Sequence, residues 1–310
     1  MTASVLTYES RRQAIFVRAG HFIELTKPKI AALELVTVVV AAIIASSGVP
    51  TNVWLVVHAV IGTVLVAASA SAFNQLLERE SDRLMIRTAE RPLPAGYVSP
   101  REAFCFAMAT FVLGTVYLVA MVNWVTATLG VATWLLYVAV YTPLKSRTTA
   151  NTLVGAVAGA GPVLMGWTAV QPRFSTAEDA LLAATLFVIV FLWQFPHFMA
   201  IAWIYRDQYK SVGSQMLTVV DATGRLAGKQ AVWAAAVLVP VSLYPAIIMR
   251  TGPLYFGLAL LLSAVQLWIA GSFMVSPSDQ SARRLLRCSL IYLPALLGLL
   301  IVTPFVFPWL

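Results

Sequence analysis

Long apolar runs recur along this 310-residue sequence, and each approaches the length needed to cross a membrane. A hydrocarbon core about 30 Å thick takes roughly 20 helical residues. Since 60% of the residues are hydrophobic and only 11% are charged, the composition excludes an ordinary soluble globular protein. Nine such runs lie at about 30–47, 53–73, 103–122, 125–141, 152–170, 181–204, 232–249, 254–274 and 290–307.

These runs are continuously apolar and rich in Gly and Ala, whereas strands of a membrane barrel alternate in segments of about ten residues. The pattern therefore predicts an all-α, polytopic membrane protein with about nine transmembrane helices. We expect two parts: a cytoplasmic N-terminal segment over residues 1–29 and a single transmembrane domain over 30–310.

The basic residues predict the orientation of these helices. When connections are assigned alternately to the two sides, 19 of the 21 Lys and Arg residues fall on one side, and only Arg173 and Arg250 on the other. The positive-inside rule then predicts a cytoplasmic N-terminus and an external C-terminus. The net charge of +8 is thus explained by topology, and nucleic acid is not an expected partner.

Residues 1–29 lack the apolar core and cleavage site of a secretory signal peptide. Arg11, Arg12 and Arg18 are also found in mitochondrial presequences, but the segment is short and contains Glu9. The sequence therefore favours the plasma membrane of a bacterium over the mitochondrial inner membrane.

A dense polar segment, NQLLERESDRLMIRTAERPLPAG, follows the second apolar run at residues 74–96. If the helix continues, Asn74, Glu78 and Asp82 lie at i, i+4 and i+8 on one face over roughly 12 Å. Their oxygens suit Mg²⁺, which commonly binds one or two carboxylates together with substrate phosphates. The prolines of RPLPAG are expected to stop the helix and leave a loop over the site.

Arginines in the same segment could complete a diphosphate site through bidentate contacts. The candidates are Arg83, Arg87 and Arg91. The alternative is a solvated helix end with Glu–Arg pairs such as Glu80 with Arg83.

A second polar cluster follows the sixth apolar run at about residue 193. Gln194 and His197 interrupt an apolar run, where polar side chains are costly and usually functional. Asp207 then follows on the same side of the membrane as Asp82. We therefore expect the two clusters to share one site, although His197 could also be a hydrogen-bonded packing residue.

Four segments together resemble the protohaem IX farnesyltransferase family of the UbiA superfamily of intramembrane prenyltransferases. They are ELTKPKI (24–30), the segment at 74–96, YTPLKSRTTANTLVGAVAGAGPVLMGW (141–167) and WQFPHFMAIAWIYRDQY (193–209). The Asn-x₃-acid-x₃-Asp pattern is typical of the superfamily, and WQFPHF of the haem branch.

The resemblance implies a UbiA-type bundle that transfers a farnesyl group from farnesyl diphosphate to a vinyl group of haem B, with water addition giving haem O. It implies that Asn74, Glu78 and Asp82 hold Mg²⁺. It further implies that Arg87, Arg91 and Lys145 bind the diphosphate, and it favours His197, next to Gln194, as a haem ligand. Membrane lipid and haem A synthase are the other expected partners.

The second cluster departs from the superfamily pattern. Members commonly have an acid directly before the tyrosine, whereas Gln208 precedes Tyr209 here. Asp207 lies one residue earlier, about 100° around a helix, so a second Mg²⁺ site in this cluster of Tyr205, Asp207 and Tyr209 stays open.

Two other classes of function would account for part of this pattern. A related prenyltransferase acting on a quinone precursor or a chlorophyllide would share the first polar cluster but not WQFPHF. An ion-coupled transporter or a haem-handling membrane protein would be expected to place its polar groups near the bilayer midplane. The roles of Glu34 and His58 stay open.

Overall fold

A computed structural model describes residues 16–249 and 252–306, with side chains placed up to residue 302. The described part contains nine helices long and apolar enough to span a membrane, which confirms the predicted number and the all-α class. These helices are α2 (Pro28–Ala45), α3 (Val53–Leu77), α5 (Pro100–Met121), α6 (Trp124–Leu135) with its continuation, α8 (Asn151–Val170), α9 (Ala177–Ile204), α12 (Arg225–Ile248), α13 (Gly252–Val275) and α14 (Asp279–Val306).

Shorter helices lie mostly between the spans, at the face where the polar clusters occur. A helix over residues 16–25, α1, precedes the first span. Helix α6 continues through a π-helical segment, Leu136–Tyr141, into the short α7. The short helices are α4 (Arg79–Leu84), α7 (Thr142–Leu144), α10 (Arg206–Ser211) and α11 (Leu217–Val220).

Several spans begin earlier than their apolar runs. Helix α14 starts at Asp279, so Arg283, Arg284 and Arg287 lie within the helix, although the sequence placed them in a connection. Helix α12 likewise begins with Arg225. The reason is that charged first turns continue the helix beyond the membrane core, where a hydropathy pattern no longer detects it.

Helices α8 and α9 form the centre of the bundle. More than half of each is buried, whereas at most 39% of each of the other seven spans is buried. Helix α8 packs against α2, α6 and α9, and α9 packs against α12 and α14. Small residues permit this close packing, because lipid gives helices no hydrophobic drive to associate. A methyl group at Gly161 would overlap the Thr133 side chain, and one at Gly166 the carbonyl of Val38.

We expect Gly166→Ala to destabilise the protein by about 1–3 kcal/mol, because the added methyl group meets backbone that no rotamer change can move. Thermal unfolding in detergent measures the effect. Gly257→Ala, in α13, is the matched control, since a methyl group there meets nothing within 4 Å. An unchanged melting temperature for Gly166→Ala would contradict this account of the α2–α8 contact.

The orientation inferred from the basic residues can be tested on two exposed serines in connections at opposite ends of α8. We expect Ser175→Cys to react with a membrane-impermeant maleimide in intact cells, and Ser146→Cys to react only after permeabilisation. Cys105 and Cys288 are replaced by serine in both variants. The opposite labelling pattern would reverse the proposed topology.

Candidate active site

The first polar cluster forms a continuous line at the end of α3. The amide of Glu78 donates to the Asn74 carbonyl at 3.0 Å, and that of Asp82 to the Glu78 carbonyl at 2.8 Å. Asn74 and Asp82 are each only 1% exposed. The i, i+4, i+8 arrangement is therefore present, although the helix is interrupted at Glu78, between α3 and α4.

Helix α4 ends at Leu84, before the prolines that were expected to stop it. The Thr88 hydroxyl donates to the carbonyl of Asp82 at 2.9 Å and thereby holds the following turn against the helix end. Residues 85–98 then form the expected loop without regular helix. Local hydrogen bonding by Thr88, rather than Pro92, accompanies the helix end.

Each member of the line contacts a cation from a different part of the chain. Lys27 Nζ donates to Asn74 Oδ1 at 2.6 Å, just before α2 begins. Lys145 Nζ lies 2.7 Å from Glu78 Oε1, at the end of α7. The third pair joins Arg91 and Asp82, whose atoms Nη1 and Oδ2 are 2.7 Å apart. The interpretation as a merely solvated helix end does not fit these long-range, largely buried contacts.

Burial and neighbouring charges shift the pKa values of this cluster. Burial, helped by the positive charges of Arg91 and Lys145, lowers the pKa of Lys27 to about 7. Burial alone would raise the pKa of Glu78, but Lys145 and Lys27 outweigh it and hold that pKa below its usual value. Burial opposes the charge of Lys145, yet the Glu78 carboxylate raises its pKa. Glu78 and Lys145 are thus stabilised as an ion pair, while Lys27 is held among like charges.

The orientation of Asn74 is fixed from its other side. Its Nδ2 donates to the Thr142 hydroxyl at 3.1 Å, and that hydroxyl donates to the carbonyl of Tyr137 at 2.9 Å. The amide oxygen therefore remains free to accept from Lys27. Tyr137 lies in the π-helical segment, and Thr142 is the first residue of α7, which follows it. This irregular part of the span therefore positions Asn74.

Arg87 joins the two polar clusters. Its backbone N–H donates to Gln208 Oε1 at 3.1 Å, and its guanidinium lies 3.5 Å from the Tyr209 hydroxyl and 4.9 Å from the centre of the Tyr205 ring. Gln208, at the position where the superfamily commonly has an acid, thus binds a loop backbone. Among the described residues Asp207 forms no ion pair.

Further towards the bundle centre, Gln194 and His197 extend from α9. Gln194 Nε2 donates to the Ala156 carbonyl at 2.9 Å, in space left free by Gly159. His197 Nδ1 lies 3.0 Å from the Ser289 hydroxyl, and its ring stacks on Trp193 with centroids 5.0 Å apart. Within the described part of the chain, Nε2 of His197 has no hydrogen-bond partner.

A cavity of about 670 Å³ joins these groups. Nine of the predicted site residues line it: Asn74, Glu78, Asp82, Arg87, Arg91, Lys145, Gln194, His197 and Tyr209. Between the polar mouth and His197 its wall is mostly apolar and aromatic, with Val66, Trp134, Tyr137 and Met165 among its residues. Residues of both clusters therefore line one cavity, and a shared site remains the prediction.

Three predicted site residues lie elsewhere. Arg83 lies 3.6 Å from Glu80 and donates to the Pro94 carbonyl at 3.2 Å, so it holds the loop from outside the cavity. Tyr205 contacts Arg87 without lining the cavity, and Asp207 does not line it either. Since Arg83 is one residue after Asp82, it points to a different side of α4.

The sequence also left site residues unassigned. Lys27 was counted only as a topological charge, although it lies in the ELTKPKI segment, and Thr142 lies in the quoted segment at 141–167. Glu34 lines the cavity, which adds a third acid to its wall. His58 is outside it and is hydrogen-bonded to the Tyr117 hydroxyl at 2.7 Å, which supports a packing role.

The donor atoms fit a hard cation. Two carboxylates and one amide oxygen lie on one line, and a positive side chain contacts each of them. Among the described residues no group of three or more His, Cys, Asp or Glu forms a self-sufficient metal cage. This composition suits Mg²⁺, which completes its shell with water and substrate phosphates.

Comparisons with known proteins identify a family that this chain matches over most of its length. The model of the UbiA prenyltransferase family matches residues 35–308. The protoheme IX farnesyltransferase of Koribacter versatilis is 38% identical over 288 residues, covering 90% of this chain and 91% of the relative. That of Rhodopirellula baltica is 42% identical over 290 residues, covering 89% and 96%.

Two solved structures share the fold. A digeranylgeranylglyceryl phosphate synthase has a TM-score of 0.74 at 18% identity, covering 93% of this chain and 98% of its own. A UbiA homolog from Archaeoglobus fulgidus, bound to GPP and Mg²⁺, has a TM-score of 0.64 at 16% identity, covering 91% and 99%. These likenesses extend over nearly the whole of each chain.

Proposed function

The chain belongs to the UbiA prenyltransferase family, and we propose that it transfers a farnesyl group from farnesyl diphosphate to a vinyl group of haem B, giving haem O. The relatives that share 36–42% of its residues are named for this activity. The observation that carries the proposal is the cavity itself, in which a line of oxygen donors and cations opens onto an apolar chamber that contains a histidine.

The polar mouth would bind the diphosphate. Asn74, Glu78 and Asp82 would hold Mg²⁺, which supplies positive charge to the leaving oxygens when bound. Arg87, Arg91 and Lys145 would bind the phosphates, with Lys27 as a fourth cation that sequence reasoning had not assigned. Because Lys27, Arg91 and Lys145 already contact the metal-binding oxygens, they need little movement to reach a diphosphate held there.

The apolar wall would hold the farnesyl chain and keep water from the allylic carbon until the acceptor is present. When the C–O bond to diphosphate breaks, pyrophosphate leaves and an allylic cation remains. Aromatic faces stabilise such a cation, and Trp134, Tyr137 and Tyr141 line this part of the cavity. The positive side chains at the mouth stabilise the departing anion.

The acceptor step balances without a redox partner. The terminal vinyl carbon of haem B bonds to the farnesyl cation, which moves the positive charge to the inner vinyl carbon. Water then bonds to that carbon and loses a proton, giving a hydroxyethylfarnesyl group. His197 would orient the haem through its Nε2, because Ser289 holds Nδ1 and Trp193 fixes the ring plane.

The bacterial relatives and the nine apolar helices of the described residues support a proposal for the cellular setting. We place this multi-pass protein in a bacterial plasma membrane with its diphosphate site at the cytoplasmic face. The excess of basic residues on that side supports this orientation.

Membranes containing the protein, supplied with haem B, farnesyl diphosphate and Mg²⁺, should yield a haem whose mass includes a farnesyl group and water. Asp82→Asn should lower this product at least about 100-fold, because it removes a carboxylate charge at the metal while keeping the side-chain volume. Extracted haem is analysed by mass spectrometry.

Glu80→Gln is the matched control for this prediction. Glu80 lies two residues from Asp82, its side chain is 69% exposed, and it is absent from the cavity wall. Its activity should stay near that of the unmodified protein. Full activity of a folded Asp82→Asn variant would remove Asp82 from the site, and no farnesylated haem from the unmodified protein would refute the proposed function.

For haem B bound to the purified protein, His197→Ala should shift the Soret band, because the iron loses its imidazole ligand. His58→Ala should leave the spectrum unchanged, since His58 lies outside the cavity and is hydrogen-bonded to Tyr117. Ser289→Ala should retain the ligand while changing its orientation. An unchanged spectrum in His197→Ala would assign this histidine to packing alone.

A further inference from the structure

A second concave surface lies on the outside of the bundle, between α13 and α14. It is a groove of about 540 Å³, lined along most of its length by apolar side chains. Trp268 is 71% exposed and Ile291 66%, so this surface faces the surroundings of the protein at membrane depth. We call it the α13–α14 groove. Its lining residues also include Val265, Ser272, Ser281, Arg284, Arg287 and Tyr292.

One end of the α13–α14 groove is positively charged. Arg284 and Arg287 lie one turn apart on α14, and both are exposed. Neither forms an ion pair or a side-chain hydrogen bond with any described residue, and the groove lining contains no Asp or Glu. Ser272 and Ser281 add hydroxyl groups to this end. The groove therefore pairs unneutralised positive charge with an apolar channel.

The charged end lies at the same membrane face as the diphosphate site. Arg206, directly after α9, is paired with Asp279, the first residue of α14, at 2.7 Å. Tyr209, which lines the mouth of the active-site cavity, follows in the same short helix α10. Arg284 and Arg287 thus lie in the first turns of a spanning helix, at the depth of lipid head groups.

We propose that the α13–α14 groove is a binding site for an anionic phospholipid. Its phosphate would contact Arg284 and Arg287, and an acyl chain would lie along Val265, Trp268 and Ile291. Basic pockets between transmembrane helices suit anionic head groups in this way. A water-soluble anion would gain nothing from the apolar channel, and a zwitterionic lipid would leave the positive charge unneutralised.

A lipid in this groove would also contact the outer side of a helix that lines the active-site cavity. Helix α14 separates the groove from the cavity: Tyr292 lines the groove, while Leu290 and Leu293 line the cavity. The same helix carries Ser289, whose hydroxyl lies beside His197 and whose carbonyl accepts from Trp193 Nε1 at 2.6 Å. A lipid in the groove would therefore hold the helix that positions the histidine.

Native mass spectrometry of the purified full-length protein tests this proposal, with phosphatidylglycerol and phosphatidylcholine of identical acyl chains as the probes. We expect retention of phosphatidylglycerol to exceed that of phosphatidylcholine by about tenfold, since each basic group near the head group contributes to the attraction. The Arg284→Gln/Arg287→Gln double variant should retain both lipids equally. The two single variants should be intermediate, so the test does not depend on the double variant alone.

Arg283→Gln is the matched control. Arg283 is exposed on the same turn of α14 but does not line the groove, so its replacement removes an equal charge without touching the site. It should retain phosphatidylglycerol like the unmodified protein. An equal loss in Arg283→Gln would show general surface attraction and overturn the proposal, as would equal retention of the two lipids by the unmodified protein.

Thermal unfolding gives a second measurement that does not involve catalysis. A lipid that binds only the folded protein raises its melting temperature. Phosphatidylglycerol should therefore stabilise the unmodified protein and Arg283→Gln, but not the double variant. The same stabilisation in all three proteins would refute a site at Arg284 and Arg287.

Discussion

Charge pairing at the edge of the membrane is the interaction on which the arrangement of this site depends. Buried charges are costly unless they are paired or hydrogen-bonded, and here both kinds of contact join parts of the chain that are far apart in sequence. Lys145 forms an ion pair with Glu78, and the Lys27 ammonium donates to the neutral amide oxygen of Asn74. The ends of α3 and α7 and the segment before α2 are thereby held together. The contacts that hold these segments together also place positive side chains beside the oxygens of Asn74 and Glu78.

The packing of helices at the bundle centre leaves space for the apolar part of the active-site cavity. Gly159 leaves space for Gln194, and small residues elsewhere in α8 let α2 and α6 approach it. The chamber is consequently enclosed by helices without being filled by them. On its far side α14 holds His197 through Ser289, so the wall of the chamber and the orientation of the histidine depend on one helix.

The sequence predicted the features that follow from local periodicity. The number of spans follows from hydropathy, and the line of Asn74, Glu78 and Asp82 follows from a four-residue spacing, which survived the interruption at Glu78. Starts of helices were less predictable, because the charged first turn of α14 resembles a connection. Arg83 was predicted to lie in the diphosphate site but does not line the cavity. The spacing of several arginines in one segment does not show which of their side chains face the cavity.

The pairings between segments could not be predicted from spacing. Nothing local indicates that Lys27 meets Asn74, or that Gln208 binds the backbone of Arg87, since both contacts require the complete bundle. The π-helical segment before Thr142 could not be predicted either, because its apolar residues are equally compatible with an ordinary α-helix. Resemblance supplied part of what spacing could not, because it predicted that Lys145 belongs with Arg87 and Arg91.

The cavity wall carries more positive than negative side chains. The cavity is lined by five basic residues and by three acidic ones. The basic residues are Lys27, Lys29, Arg87, Arg91 and Lys145, and the acidic ones are Glu34, Glu78 and Asp82. The lowered pKa of Lys27 is the local sign of this excess, since burial and two neighbouring cations disfavour its charge. A bound divalent metal would increase the excess further. An anion of high charge would balance this excess, and a diphosphate is such an anion, which is consistent with the site proposed for the polar half of the substrate at the membrane edge.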